Sequence, residues 1–232
     1  MPKFIADFFP NVANYWDIFL TALNATYQMF FIAGLITLLI GGTFGISLIV
    51  TKTDGIKPNR MIHFILEVIT NVFRAVPFII LLIFLIPFTR SIAGTSIGVK
   101  GAIVPLVFGA VPFYTRQVET ALADVNPGKI EAARSMGSST LGIIFCVYLH
   151  EALPDLIRVT TITAISLIGL TTSAGAVGAG GIGSFAINYG QNLHYQDVVN
   201  LCVILLLIIV SLIQLLGNTL SSATTNKELF HK

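Results

Sequence analysis

The sequence is poor in charged side chains, because Asp, Glu, Lys and Arg make up only 10% of its 232 residues. Soluble domains carry about 25%, so this chain has too little polar surface to cover a globule in water. The composition therefore excludes an ordinary soluble enzyme. The net charge is only +2, which indicates no basic surface for a nucleic-acid partner.

Cysteine is also scarce, and the two cysteines, Cys146 and Cys202, both lie in apolar stretches. They give no disulfide or metal framework, and the four histidines are scattered. The chain has no G-x-x-x-x-G-K-[ST] loop, since its only Gly-Lys pair, Gly128-Lys129, lacks the upstream glycine and the following hydroxyl. We therefore predict that this chain binds no cofactor or metal and does not hydrolyse ATP.

What the sequence has in abundance is apolar length, with a mean hydropathy of +0.87. Residues 18–51, 159–193 and 198–226 are free of charge, and each run exceeds the roughly 20 residues that cross a bilayer. Backbone groups cannot stay unpaired in lipid, so the spans must be helical. The sequence predicts an all-α integral membrane protein with five spans, at about 23–51, 61–89, 99–122, 156–177 and 197–221.

The flanking segments predict the orientation. Residues 1–22 mix aromatic side chains with Asp7 and Asp17, which favours a segment lying at the membrane interface. The loops and the tail at 222–232 that fall on one side carry eight basic residues, against three on the other. The positive-inside rule then places the N-terminus outside and the C-terminus, with its tail, in the cytoplasm. The eight are Lys52, Lys57, Arg60, Arg116, Lys129, Arg134, Lys227 and Lys232.

The longest predicted loop covers residues 123–155 between the third and fourth spans. Its uncharged stretch from Ser135 to Leu149 is too short to cross the membrane, so we expect an interfacial or protein-buried helix. A cytoplasmic loop of this size predicts a docking element for a partner.

This loop contains Glu131-Ala132-Ala133, with Gly137 four residues further on. The pattern resembles the EAA motif of ABC-importer permeases, whose short coupling helix fits a groove on the ATPase subunit. Glu131 is expected in the first helical turn, and Gly137 is expected to end the helix. In the family the motif usually ends in Leu-Pro, which breaks the helix before the fourth span. Here His150 follows Leu149, and Pro154 is the candidate for this break.

Further segments resemble methionine-uptake permeases, and the resemblance extends over about residues 20–220. It implies a type I ABC-importer permease that forms a homodimer of five-helix subunits in the bacterial cytoplasmic (inner) membrane. Two ATPase subunits with ATP and Mg, a substrate-binding lipoprotein outside and membrane lipid would be its partners. The segments that carry it are FRAVPFIILL at 73–82, IPFTR at 86–90, GTSIG at 94–98, AIVPL at 102–106 and GAVGAGG at 175–181.

The family function is translocation of an amino acid by alternating access, with methionine as the expected substrate. The family's aromatic and methionine side chains are absent near Leu170 and Ser173, so another amino acid stays open. An ion-coupled transporter is the rival class, but it would need inverted repeats or embedded carboxylates, and the spans show neither.

Two groups of residues are candidates for the translocation machinery. Hydroxyls in the fourth span could line a pathway, although they could also bond only to their own helix; the favoured ones are Ser166, Thr171, Thr172 and Ser173. The glycines that follow match G-x-G-x-x-G, but a span precedes them in place of the strand that a dinucleotide site needs. We expect them to form an external gate: Gly178, Gly180, Gly181 and Gly183.

The first span contains the pair Gly41 and Gly45, a G-x-x-x-G pattern. Glycines at this spacing let two helix backbones approach closely. The pattern predicts close helix packing and does not by itself identify a dimer interface.

Overall fold

The computed structural model describes the backbone of residues 8–229 and the side chains of residues 8–225. All regular elements in that part of the chain are helical. In chain order they are α1 (Pro10–Asn14), α2 (Trp16–Thr51), α3 (Arg60–Ala75), α4 (Phe78–Phe84), α5 (Ile86–Ala93), α6 (Gly98–Ala123), α7 (Pro127–Ser135), α8 (Thr140–Glu151), α9 (Leu153–Gly175), α10 (Gly181–Phe185), which a π-helical segment continues (Ala186–Gln191), and α11 (Gln196–Leu229).

Within the described residues, four helices are long and apolar enough to cross a membrane, namely α2, α6, α9 and α11. Helices α3 and α4 are together apolar enough for a fifth span, but a bend of 105° separates them. One continuous helix over 61–89 was therefore a wrong prediction. The cause is Pro77, which lacks an N–H and has a ψ of 134°, outside the helical region.

Two predicted boundaries at the chain ends also change. Helix α2 begins at Trp16, so residues 16–22, which we assigned to the N-terminal segment 1–22, are continuous with the first span. No glycine or proline interrupts this stretch, and Asp17 lies favourably in the first turn. Helix α11 likewise continues into the predicted tail 222–232. Residues 1–7 and 230–232 of these two segments lie outside the described part.

The described residues form two compact units, each with its own core. The first unit comprises residues 8–35, 76–109 and 164–212, and the second comprises 36–75, 110–163 and 213–229. The core of the first contains Val12, Phe19, Ala22, Ile182, Phe185, Val198 and Cys202. The core of the second contains Ile49, Val50, Tyr114, Val118, Leu122, Val125, Ala133, Ile143, Ile144, Tyr148 and Ala152.

In the first unit, hydrogen bonds hold the start of the chain to its later segments. Asn11 donates from its backbone N–H and its amide to the two carboxylate oxygens of Asp197, at 3.0 and 2.9 Å. Ile182 donates its N–H to the buried hydroxyl of Thr26 at 2.8 Å. These contacts place α1 and α2 beside the segment that contains the gate candidates.

In the second unit, glycines allow close packing of α2 on α6. A Cβ added at Gly45 would lie 2.7 Å from the Cβ of Val118, and one at Gly41 would lie 3.0 Å from the Tyr114 ring. The close contact predicted from the G-x-x-x-G pattern is therefore confirmed, and its partner is a helix of the same chain.

Candidate functional site

The predicted coupling helix exists as α7, and Gly137 ends it as expected from the sequence. Asn126 precedes it and accepts a hydrogen bond from the N–H of Gly128 at 2.8 Å, with Pro127 in the first position. Gly137 follows it with a φ of +78°. Ser138 donates back to the carbonyl of Ala133 at 3.1 Å, so a left-handed glycine ends the helix as predicted.

The three motif residues of α7 divide into a buried and an exposed set. Ala133 is buried in the core of the second unit, whereas Glu131 and Ala132 are exposed. Glu131 lies in the second turn, so its expected place in the first turn was wrong, because the helix begins already at Pro127. Ala133 thus packs α7 against the core of the second unit, and Glu131 and Ala132 remain exposed to a partner.

Two polar contacts hold α7 to the rest of the second unit. Arg134 donates to the backbone carbonyls of Ile56 at 3.1 Å and Gly55 at 3.4 Å, in the loop between α2 and α3. Lys129 forms an ion pair with Glu151 at the end of α8. Sequence reasoning missed both contacts, since charged residues distant in the chain carry no signal of pairing.

Helix α8 is the short apolar helix expected between Ser135 and Leu149. Ser139 caps it by accepting from the N–H of Gly142 at 3.1 Å, and residues Ile144–Tyr148 form a π-helical turn. Burial, and to a smaller extent the charge of Asp54, raises the pKa of Tyr148. Tyr148 is therefore a neutral packing group at physiological pH.

The helix break that replaces the family's Leu-Pro falls at Ala152. This residue lies in a turn between α8 and α9, and Pro154 occupies the first turn of α9. Proline is tolerated there because its missing N–H needs no partner in a first turn. The chain from Val147 to Leu153 is therefore almost continuously helical.

The predicted pathway hydroxyls lie near the end of α9 in the first unit. Thr171 is buried and donates to the carbonyl of Ile168 at 2.8 Å. Thr172 donates to the same carbonyl at 2.9 Å, and Ser173 donates to that of Gly169 at 3.0 Å. Ser166 lies nearly two turns earlier and is half-buried. The last three thus use their protons within the helix, and their role in a pathway stays a prediction.

The predicted gate glycines lie in the turn after α9 and at the start of α10, where other residues fit poorly. Gly178, Gly180 and Gly181 have φ values of +89°, +80° and +78°. A Cβ at Gly183 would lie 2.0 Å from the carbonyl oxygen of Thr172. The carbonyl of Gly178 also accepts from the N–H of Gly98 at 3.0 Å. This turn is tightly held against the end of α9 and the start of α6, and its gating role stays a prediction.

Several apolar helices long enough to cross a membrane, with the short capped helix α7 between α6 and α9, are the features expected of a membrane transport component. The chain belongs to the family described as the binding-protein-dependent transport system inner membrane component, whose profile matches residues 41–224. That description agrees with the prediction of a transport subunit in the inner membrane.

Similar proteins cover most of the chain. It is 41% identical over 204 residues to the Probable D-methionine transport system permease protein MetI of Vibrio cholerae. This match covers 88% of this chain and 91% of that protein. It is 42% identical over 175 residues to the Methionine import system permease protein MetP of Bacillus subtilis. This match covers 75% of this chain and 79% of that protein.

A solved structure extends this similarity to the fold. A chain from the inward-facing MetNI methionine ABC transporter matches with a TM-score of 0.88 and 42% identity. The match covers 91% of this chain and 98% of that one. The predicted type I ABC-importer permease fold is therefore confirmed.

Proposed function

We propose that this chain is the permease subunit of an ATP-binding-cassette importer that carries methionine across the cytoplasmic membrane. The observation that supports the substrate most strongly is similarity over nearly the whole length of both chains to the MetNI methionine ABC transporter. The similar proteins of Vibrio cholerae and Bacillus subtilis are also named for methionine or its D-enantiomer.

The importer would contain two copies of this chain, two cytoplasmic ATPase subunits that hold ATP and Mg, and a substrate-binding lipoprotein outside. The N-terminus would lie outside and the C-terminus inside, as the basic residues indicate. Exposed Glu131 and Ala132 on α7 would contact the ATPase subunit. The permease domain predicted at 23–221, with its coupling loop at 123–155, would extend at its start to Trp16, where α2 begins.

Transport would follow alternating access. Closure of the ATPase subunits would move α7, and the second unit would follow, because Ala133, Arg134 and Lys129 attach α7 to it. Such transitions are rigid movements of packed elements between two arrangements. Ser166, Thr171, Thr172 and Ser173 would line the route of the substrate, and the glycine turn at 178–183 would close its outer end.

Competition for uptake tests the substrate. Proteoliposomes that contain this chain with its ATPase and binding protein would accumulate labelled methionine, and unlabelled L- or D-methionine would reduce that accumulation. Competition by a different amino acid, with none by methionine, would keep the importer and reject methionine as its cargo.

A further inference from the structure

A cavity of about 1040 Å³ lies in the second unit where the loop after α2 meets the start of α3. The loop folds back on the end of α2, since the backbone N–H of Lys57 donates to the carbonyl of Val50 at 3.0 Å and that of Asn59 donates to the carbonyl of Thr51 at 2.9 Å. Because this loop joins two spans, the cavity lies at a membrane–water interface. Its walls are Thr51, Thr53, Pro58, Arg60, Met61, His63, Phe64 and Glu67.

Arg60 is the cation of this cavity that has no close carboxylate. Glu67 lies 3.8 Å from His63 Nε2 and 3.9 Å from the guanidinium of Arg116, which pairs more closely with Glu119 at 2.6 Å. Arg60 is exposed and forms no ion pair within residues 8–225. Its planar guanidinium offers paired N–H donors that match a phosphate.

An exposed apolar stripe leads away from Arg60 along α3. Its members recur at helical spacing, so they share one side of the helix. From Met61 to Val72 the stripe rises about 16 Å at 1.5 Å per residue, close to half of the ~30 Å hydrocarbon core. The stripe consists of Met61, Phe64, Ile65, Val68 and Val72, which are 73%, 64%, 44%, 42% and 55% exposed.

We propose that this cavity binds a glycerophospholipid, with the phosphodiester on Arg60 and one acyl chain along the stripe. Arg60 and the apolar stripe together suit a phospholipid better than they suit other occupants. A free phosphate would leave the stripe uncovered, and an apolar protein surface would leave Arg60 without an anion. Basic pockets at the ends of spans are established sites for lipid headgroups, and Lys57 in the same loop favours an anionic lipid.

The lipid site is connected to the coupling helix through the loop that forms its wall. The carbonyls of Gly55 and Ile56, which accept from Arg134 of α7, belong to the same loop as Thr53 and Pro58. A bound lipid would therefore stabilise the loop that positions α7. An effect of the lipid on transport rests on the proposed role of α7 as the coupling helix, whereas lipid binding itself does not depend on that role.

Native mass spectrometry of the full chain in detergent, titrated with dioleoylphosphatidylglycerol, tests the proposal. Arg60→Gln should weaken the tightest lipid binding about tenfold, the ratio expected for loss of one charge-assisted hydrogen bond. Phe64→Ser should weaken it severalfold. Arg74→Gln is the matched control, because Arg74 is exposed on the same helix but outside the cavity. Equal binding by wild type and Arg60→Gln, or an equal loss in Arg74→Gln, would overturn the proposal.

Two further arms separate the other occupants. Inorganic phosphate at millimolar concentration should not displace the lipid, and displacement would identify a free-phosphate site. The same spectra report the number of protein chains in each assembly. If Phe64→Ser separates the chains and leaves lipid binding unchanged, the stripe is a contact between copies and the lipid assignment is wrong.

Discussion

Arg134 of α7 donates a hydrogen bond to the backbone carbonyl of Ile56, 78 residues earlier in the chain, at 3.1 Å. The bond fixes the predicted coupling helix to the loop between the first two spans. Together with the Lys129–Glu151 ion pair and buried Ala133, it makes α7 part of the second unit. If a partner moves α7, these contacts would transmit the movement to the loop between α2 and α3 and to the end of α8.

Replacement of Gly137 tests the turn that ends α7. Gly137→Ala places a Cβ on a residue with a φ of +78°, which costs about 1 kcal/mol or more. We expect lower ATP-dependent uptake with normal membrane insertion. Gly169→Ala is the matched control, because that helical glycine has no atom within 4 Å of an added Cβ. Equal effects of the two variants would contradict a special role for the turn.

Close packing of α2 on α6 predicts a difference between neighbouring glycines. Gly45→Ala should lower the free energy of unfolding by about 1–3 kcal/mol, since the new methyl group would overlap Val118. Gly42→Ala should have little effect, because its Cβ would lie 3.8 Å from the Tyr114 ring. Thermal unfolding in detergent measures both, and equal losses would rule out the packing explanation.

The ion pair between Lys129 and Glu151 should contribute little to stability. Both side chains are partly exposed, at 52% and 32%, and such pairs contribute about 0.2–1 kcal/mol. A double-mutant cycle of Lys129→Ala and Glu151→Ala should give a coupling free energy in that range, and it should shrink at high salt. A coupling energy well above about 1 kcal/mol would show that the pair is a stability element.

The pathway hydroxyls should differ in their effect on transport. Thr171 is buried and bonded to its own helix, whereas Thr172 and Ser173 are half-buried. Thr172→Val or Ser173→Ala should raise the KM for uptake about threefold or more, as loss of one hydrogen bond predicts. Thr171→Val should stay within about twofold of wild type on the same reasoning. A larger rise in KM for Thr171→Val than for Thr172→Val and Ser173→Ala would show that these hydroxyls do not line the pathway.

The sequence predicted the elements whose signals are local. The apolar helices and the helix end at Gly137 follow from composition and from the conformational freedom of glycine. The bend at Pro77 was missed because the apolar run continues through it without a change in hydropathy. The early start of α2 at Trp16 was missed because aromatic and acidic residues are equally compatible with an interfacial segment.

Long-range polar contacts could not be predicted in the same way. Neither the Arg134–Ile56 bond nor the Asn11–Asp197 bonds leave a pattern in the chain, because each depends on the tertiary arrangement within one unit. Likewise, the sequence groups the hydroxyls of α9, but it does not show that they donate to the carbonyls of Ile168 and Gly169.

The central claim is that this chain moves its substrate only when a separate ATPase acts on α7. The most direct measurement is methionine accumulation in proteoliposomes that contain the complete transporter, with and without internal ATP, for wild type and Gly137→Asp. We expect accumulation only for the wild type with ATP. Accumulation without ATP or without the ATPase subunit would contradict the account.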